Sequence, residues 1–365
     1  MSTVMAFRKL RVAAVAAGLL SSISTAGTAA EAQDKSSGYA FNVIAENAPD
    51  PLGTEPEAIE VNKRAAHRLA MKWGIMFVYD DRCAPRVPGS EEEARLKKYG
   101  KPIPETLPAP RPMRVFDDLY YVGLDDVAAW ALVQKGGQEI YLFDALNNAD
   151  EAERYIAGGL KTLGFDPANI KSVFIMHGHF DHYGGARFLQ EKYGATVYLG
   201  DADWGDVLRQ GADPKNRGFG LAPSFDQILK PGKMLLGDTE VTFLETPGHT
   251  NGTVSALLPV TFKREKHLAA FWGGTGYPRG DDRQLDKYIR SLTDFTAQVR
   301  RAGADVFLSN HSHSDASVQR FATINWDTGK SDMVWGPDYV VDLLDVLNFC
   351  ARAQYERQIR SDWPF

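Results

Sequence analysis

Between residues 113 and 325 short apolar runs recur, each closed by glycine, aspartate or a turn-forming pair, and this texture predicts alternating strands and helices. Leu119–Val122, Ala128–Val133 and Ile140–Phe143 read as strands, with Lys135-Gly136-Gly137-Gln138 as a hairpin turn between the last two. Asp144 ends that set. Helical spacing then runs from Glu151 to Leu163 and stops at Gly164. Val173-Phe174-Ile175-Met176 is a short, partly β-branched run that predicts a buried strand. A helix over Ala186–Tyr193, ended by Gly194, and a strand over Thr196–Leu199 follow, so this part of the chain is an α/β unit.

The second half continues in the same way. Val241–Leu244 and Val254–Leu258 predict a hairpin pair, and Leu268–Trp272 predicts a strand that runs into Gly273-Gly274-Thr275-Gly276. Asp286–Arg301 is an amphipathic helix with Tyr288, Leu292, Phe295 and Val299 on one face. Asp305–Ser309 is a strand delivering Asn310-His311-Ser312-His313, and Val340–Phe349 is an apolar helix before a basic tail.

The N-terminal third is less regular. Thr54-Glu55-Pro56-Glu57 resembles a capping box, after which Ala58, Val61, Ala65 and Leu69 have roughly helical spacing. Ile75–Tyr79 reads as a strand or the end of a buried segment. Prolines recur from Lys101 to Pro112, which forbids helix and places a boundary near Pro112. Arg8, Lys9 and Arg11, the apolar segment Val12–Leu20 and Ala30-Glu31-Ala32 have the order of a secretory signal peptide. The apolar segment is shorter than the roughly 18 residues a membrane span needs. The expected organisation is a signal peptide over 1–32, an N-terminal extension over 33–112, a catalytic domain over 113–325 and a C-terminal helical extension over 326–365. The product would be a soluble periplasmic or secreted protein without stable membrane insertion.

Composition changes this picture little. The net charge of -6 and the absence of a basic block give no sign of a nucleic-acid partner. Cys83 and Cys350 are too few for a disulfide framework. In an oxidising compartment they could pair and tie the two extensions together; two separate buried thiols fit the sequence equally well.

The candidate chemistry is concentrated. The chain has eight histidines, and all but His67 and His267 lie in three places: 177–182, 249 and 311–313. Each place follows a predicted strand, and side chains at the carboxyl ends of neighbouring strands converge in α/β folds. His177-Gly178-His179-Phe180-Asp181-His182 sets three imidazoles and a carboxylate within one loop, the ligand types that Zn²⁺ prefers. A purely structural zinc is normally closed by four protein ligands, often with Cys.

This H-x-H-x-D-H loop, the later Gly248-His249-Thr250 and a last histidine after a strand resemble the metallo-β-lactamase superfamily over about Met113 to Asp315. Within it the chain is most similar to the subclass of zinc β-lactamases that uses no cysteine ligand. The resemblance implies an αββα sandwich, of α/β class, with a metal site at one edge. It implies one zinc held by His177, His179 and His249, and a second held by Asp181, His182 and His311, two per chain. Asp181 would also pass a proton in catalysis. Asp144 would orient a ligand histidine, and Gly248 would either turn His249 inward or be an ordinary turn glycine. The pattern departs in two ways. Many superfamily hydrolases place a bridging Asp, and some lactamases a Cys, where this chain has Gly273, Gly274 and Thr275, with Thr275 as a hydroxyl neighbour or simply a loop residue. His313 is an extra histidine, an alternative to His311 or a residue outside the ligand sets. The implied activity is attack by a metal-held hydroxide on a small-molecule carbonyl compound. A cyclic amide such as a β-lactam is the first expectation and a lactone, thioester or other ester the alternative. A non-catalytic metal-binding envelope protein is the remote one. The oligomeric state is left open.

Overall fold

The structure, a computed structural model, describes residues 52–53, 55–83, 110–212, 220–278 and 280–360. The expected signal peptide and most of the proline-rich stretch lie outside these residues. Two helices come first, α1 (Glu57–Trp73) and α2 (Met76–Cys83). Helix α1 starts behind Pro56 with no side-chain cap, so the expected capping box does not form; Glu60 instead accepts from the Glu55 amide. Its inward face is Ile59, Lys63, Ala66 and Ala70, while Val61 is 52% exposed. The expected stripe is rotated because Lys63 is taken inside by Glu55 and Glu60. Of the two readings of Ile75–Tyr79, the strand is overturned and the buried segment holds. Val78, Tyr79, Arg82 and Cys83 are buried at helical spacing, and the apolar run is continuous because it packs into a helical layer.

The first sheet has seven strands in sequence order: β1 (Met113–Arg114), β2 (Leu119–Tyr121), β3 (Trp130–Gln134), β4 (Glu139–Phe143), β5 (Ile170–Ile175), β6 (Thr196–Leu199) and β7 (Gln227–Ile228). The β3–β4 hairpin closes through a single 3₁₀ turn at Lys135–Gly137, with Gln134 facing Glu139. From β4 onward the pairs are parallel. Helical turns over Ala149–Glu151, Ala152–Ala157 and Gly158–Thr162 connect β4 to β5, with a π-helical turn in the middle. After β5 come α3 (Phe180–Tyr183) and α4 (Ala186–Tyr193), the latter ended by a left-handed Gly194 as expected. Helix α5 (Asp201–Ala212) follows β6.

The second sheet orders β12-β11-β10-β9-β8, with β8 at Gly232–Leu236, β9 at Thr239–Glu245, β10 at Val254–Phe262, β11 at Glu265–Trp272 and β12 at Val306–Ser309. Helix α6 (Asp282–Ala302) joins β11 to β12, and its N-terminus is capped by Asp281, whose carboxylate accepts from Arg283 and Gln284. Helix α7 (Ser312–Asp315) begins directly after His311 and contains His313, and α8 (Pro337–Gln358) is the last element. Helix α8 outruns the expected Val340–Phe349 because its later polar residues are buried with partners. Gln354 donates to Arg82 O, and Arg357 pairs with Glu55 and donates to Cys83 O.

Period-two burial explains how the sheets face each other. Val254, Ala256, Leu258, Val260 and Phe262 lie on one face of β10 and meet Leu119, Trp130, Leu132, Phe143 and Phe174 of the first sheet. On the outer face of the first sheet Ala131, Ile140, Leu142, Val173 and Val197 pack on Ile156, Leu160 and Leu189. On the outer face of the second, Ala270, Trp272 and Phe307 meet Leu292, Phe295 and Val299 of α6, together with α8, α1 and α2. The chain is therefore an α/β sandwich of helix, sheet, sheet and helix. The N-terminal helices lie in the same outer layer as α8, fastened by a Cys83–Cys350 disulfide. Among the described residues no helix is long and apolar enough to cross a membrane.

Candidate metal centre

Three strand ends deliver the site. The β5 strand ends at Ile175 and releases His177, His179, Asp181 and His182 on the following loop and α3; β9 leads to His249, and β12 leads to His311. One ligand atom from each of His177, His179 and His249 lies within 4.8 Å of the other two, as do those of His177, Asp181 and His182. His311 Nε2 sits 3.2 Å from His182 Nε2 and 3.5 Å from Asp181 Oδ2, and His182 Nε2 is 3.3 Å from that oxygen. The six residues are thus gathered into two adjoining sets, with the His177 and His182 rings 4.1 Å apart at the floor. Those two are fully buried, whereas His179, Asp181, His249 and His311 are half-buried and line the open side.

Two of the rings are held from behind by loop carbonyls. His177 Nδ1 lies 2.8 Å from Gly273 O, and His249 Nδ1 lies 2.6 Å from Gly276 O, so each Nδ1–H donates to a carbonyl and each Nε2 keeps its lone pair. The two Nε2 atoms are 3.0 Å apart. Two lone pairs at that separation repel unless a cation lies against both, so the donor set fits a divalent metal. Burial, reinforced by the surrounding imidazoles, holds His177 and His249 well below the usual imidazole range. His182 behaves oppositely. Burial alone would lower it, but the carboxylates of Asp181 and Asp144 outweigh that and raise it. For Asp181, burial pushes up, and His182, His311 and His179 outweigh it and keep the carboxyl ionised.

Asp144 stands where the sequence places it, at the end of β4. It is fully buried in a left-handed backbone conformation (φ 64°), with Oδ2 accepting from His182 Nδ1 at 2.8 Å and Oδ1 from the Met176 amide at 2.8 Å. It holds the His182 ring from behind and pins the start of the loop that carries His177. Thr275 is buried, and its hydroxyl donates to Asn310 Oδ1 at 2.6 Å and pairs with Ser309 Oγ at 2.8 Å. It belongs to a polar layer behind His177, completed by Asn310 Nδ2 donating to Gly273 O at 2.8 Å. The glycines of this loop let it pass directly against the imidazoles: a Cβ at Gly274 would meet His249 Cβ at 2.8 Å. His313 belongs to α7, and the placement of its side chain lies outside the described residues. Both cysteines are consumed by their disulfide, so no thiolate ligand exists.

Gly248 resolves in favour of necessity. Its φ is 145°, and a Cβ there would stand 2.2 Å from the Tyr288 Cα on α6. Gly248→Ala should therefore cost about 3 kcal/mol or more through overpacking and backbone strain. A His249 displaced by an ångström should lose about 10²-fold in activity. Denaturation midpoints and kcat/KM on the same preparation check both effects.

Sequence reasoning missed Asp203 and Asn310. Asn310 directly precedes His311 and was in plain view. Asp203 sits in a helix the sequence did not suggest, though it follows β6 by the same strand-end logic as the histidines.

Residues 123–261 match the family profile described as the Metallo-beta-lactamase superfamily. Hydroxyacylglutathione hydrolase GloC of Haemophilus influenzae is 27% identical over 182 residues, covering 46% of this chain and 74% of that protein. Among solved structures, a point mutant of the FEZ-1 metallo-beta-lactamase from Legionella gormanii superposes with a TM-score of 0.61 at 22% identity, covering 70% of this chain and 99% of that one. BJP-1, a subclass B3 metallo-beta-lactamase of Bradyrhizobium japonicum, superposes with a TM-score of 0.58 at 25% identity, covering 70% and 97%. With the sandwich, the histidine-lined edge and the sequence match in agreement, this chain carries a metallo-beta-lactamase superfamily domain and is a metal-dependent hydrolase.

Proposed function

We propose that the protein is an exported two-zinc hydrolase that opens a cyclic amide of β-lactam type. The observation that carries this reading is the gathering of His177, His179 and His249 beside Asp181, His182 and His311, next to a loop, Gly273–Gly276, that brings no carboxylate or thiolate to the centre. That combination matches the cysteine-free lactamases better than hydrolases with a bridging aspartate. His177, His179 and His249 would hold one zinc, and Asp181, His182 and His311 the other. Zinc, when bound, supplies a water nucleophile at neutral pH and polarises the substrate carbonyl. The chain's own residues do the rest. The carbonyls of Gly273 and Gly276 fix His177 and His249 with their lone pairs facing the centre. Asp144 holds the His182 ring in one orientation. Asp181, ionised and at the open side, can take a proton at Oδ2 and pass it to the departing nitrogen. Export is supported by the signal-peptide pattern and by the Cys83–Cys350 bond, which persists in oxidising compartments.

The similarity to GloC favours one second reading, thioester hydrolysis. The purified full chain is expected to carry about two zinc ions by elemental analysis, and to turn over a chromogenic β-lactam faster than a glutathione thioester or an acyl-homoserine lactone. Faster thioester turnover would replace the first reading by the second. Zinc content near zero after growth with added zinc would sink both.

A further inference from the structure

The three histidines of the first ligand set come from two loops, one after β5 and one after β9, joined at their base where the Val254 amide donates to Met176 O at 2.8 Å, and the peptides beside the histidines must also be held together. A third element does this. Asp203 lies in the first turn of α5 and is 2% exposed. Its Oδ2 accepts from the Gly178 amide at 2.7 Å and from Thr250 Oγ1 at 2.6 Å, and its Oδ1 accepts from the Gly252 amide at 2.7 Å. Gly178 is the residue between His177 and His179, and Thr250 is the residue after His249. One buried carboxylate therefore grips both ligand loops through charge-assisted hydrogen bonds.

The local sequence is built around this grip. A Cβ on Gly178 would meet Asp203 Cβ at 2.8 Å, and one on Gly252 would meet Asp203 Cγ at 2.7 Å, so the backbone can approach the carboxylate only as glycine. Thr250 is itself steadied by Thr253, whose Oγ1 accepts from the Thr250 amide at 2.9 Å. Asp203 touches no imidazole; whatever it does to the centre, it does through the peptide groups beside the ligands.

We propose that Asp203 is a positioning residue that sets the spacing of His177 and His179 against His249, and through it the affinity of the first metal position. The inference rests on the ligand assignment under the proposed function. A carboxylate that merely satisfied buried amides would lower stability when removed and leave metal affinity in the folded protein unchanged.

Zinc affinity of the full chain, measured by competition with a chromophoric chelator, and the visible absorption of the cobalt(II)-loaded chain separate the two roles. Asp203→Ala is expected to weaken the tighter zinc site by about 10–100-fold, the range for groups that orient metal ligands, and to alter the cobalt absorption bands. Thr250→Val removes one of the three bonds with little change of shape and should weaken zinc by a smaller factor, which covers the case of an Asp203→Ala chain that does not fold. Asp118→Asn changes a half-buried carboxylate elsewhere in the chain, one that accepts from the Thr261 amide, and should leave both readouts at wild-type values. Unchanged zinc affinity and cobalt bands in folded Asp203→Ala, or in Thr250→Val if the former is insoluble, would overturn the inference alone. A wild-type chain that binds no zinc would overturn the ligand assignment and the inference with it.

Discussion

Asp181→Ala is expected to lower the rate of carbonyl hydrolysis by about 10²–10⁴-fold, the span of general acid–base contributions, while the protein stays folded. The side chain belongs neither to a strand nor to the apolar clusters, and it is half-buried at the open side of the centre. Its removal leaves no cavity among packed apolar groups, so the stability cost should be small. What it does remove is the carboxylate 3.3 Å from His182 Nε2 and 3.5 Å from His311 Nε2. Under the proposed function three consequences follow in one variant: the group assigned to carry the proton is lost, one residue assigned to the second zinc is lost, and the negative charge balancing a crowd of imidazoles is lost. Far-UV circular dichroism, zinc content and kcat on the preferred substrate, measured together, check the claim. Turnover within a few-fold of wild type in a folded variant would remove Asp181 from the catalytic machinery.

The site was legible where chemistry is compressed into few residues. His177 to His182, His249 and His311 could be found because each follows a strand that the burial pattern announces, and imidazole-rich loops have few other uses. The sandwich was legible for the same reason: period-two burial in β10 and helical burial in α6 are local signals. Three things were not local. Asp201-Ala202-Asp203-Trp204-Gly205-Asp206 has no apolar periodicity of its own, and it is helical because Trp204 and Val207 are buried against the first sheet. Ile75–Tyr79 has strand-like composition and is helical because of what packs on it. Lys63 and Arg357 are charged residues that a sequence reader places in solvent; both are buried because Glu55 meets them, and for Arg357 it does so from the opposite end of the described chain.

These remote contacts also connect the outer helices to the site. Arg82 on α2 donates to Ser314 Oγ at 2.6 Å, within α7 and next to the His311 strand end. Tyr277, in the loop after β11, donates to Leu347 O on α8 at 2.8 Å. The helices thus brace from outside two of the loops that surround the centre. Ser312 adds a contact on the other side, donating its hydroxyl to Asp125 O.

That bracing makes the disulfide the second large effect to expect. Cys83 ends α2 and Cys350 lies in the middle of α8, both fully buried, at a sequence separation of 267. A cross-link closing so long a loop restricts the unfolded chain strongly, and its loss should cost about 3–5 kcal/mol. For a domain of this size that corresponds to a fall in Tm of roughly 5–10 °C. The native packing does not depend on the bond alone. The Glu55–Arg357 pair at 2.6 Å and the Lys72–Asp342 pair at 2.7 Å also join α1 and its approach to α8. The Cys83→Ser/Cys350→Ser chain should therefore fold, bind metal and turn over substrate near the wild-type rate at 25 °C, yet unfold at lower temperature. Calorimetry of the oxidised chain, the reduced chain and the double variant tests this directly. Equal Tm values for all three would mean that the ion pairs and apolar contacts already hold the helical layer without the bond. A double variant that folds but loses activity at 25 °C would show instead that the brace on Ser314 and Tyr277 reaches the centre itself.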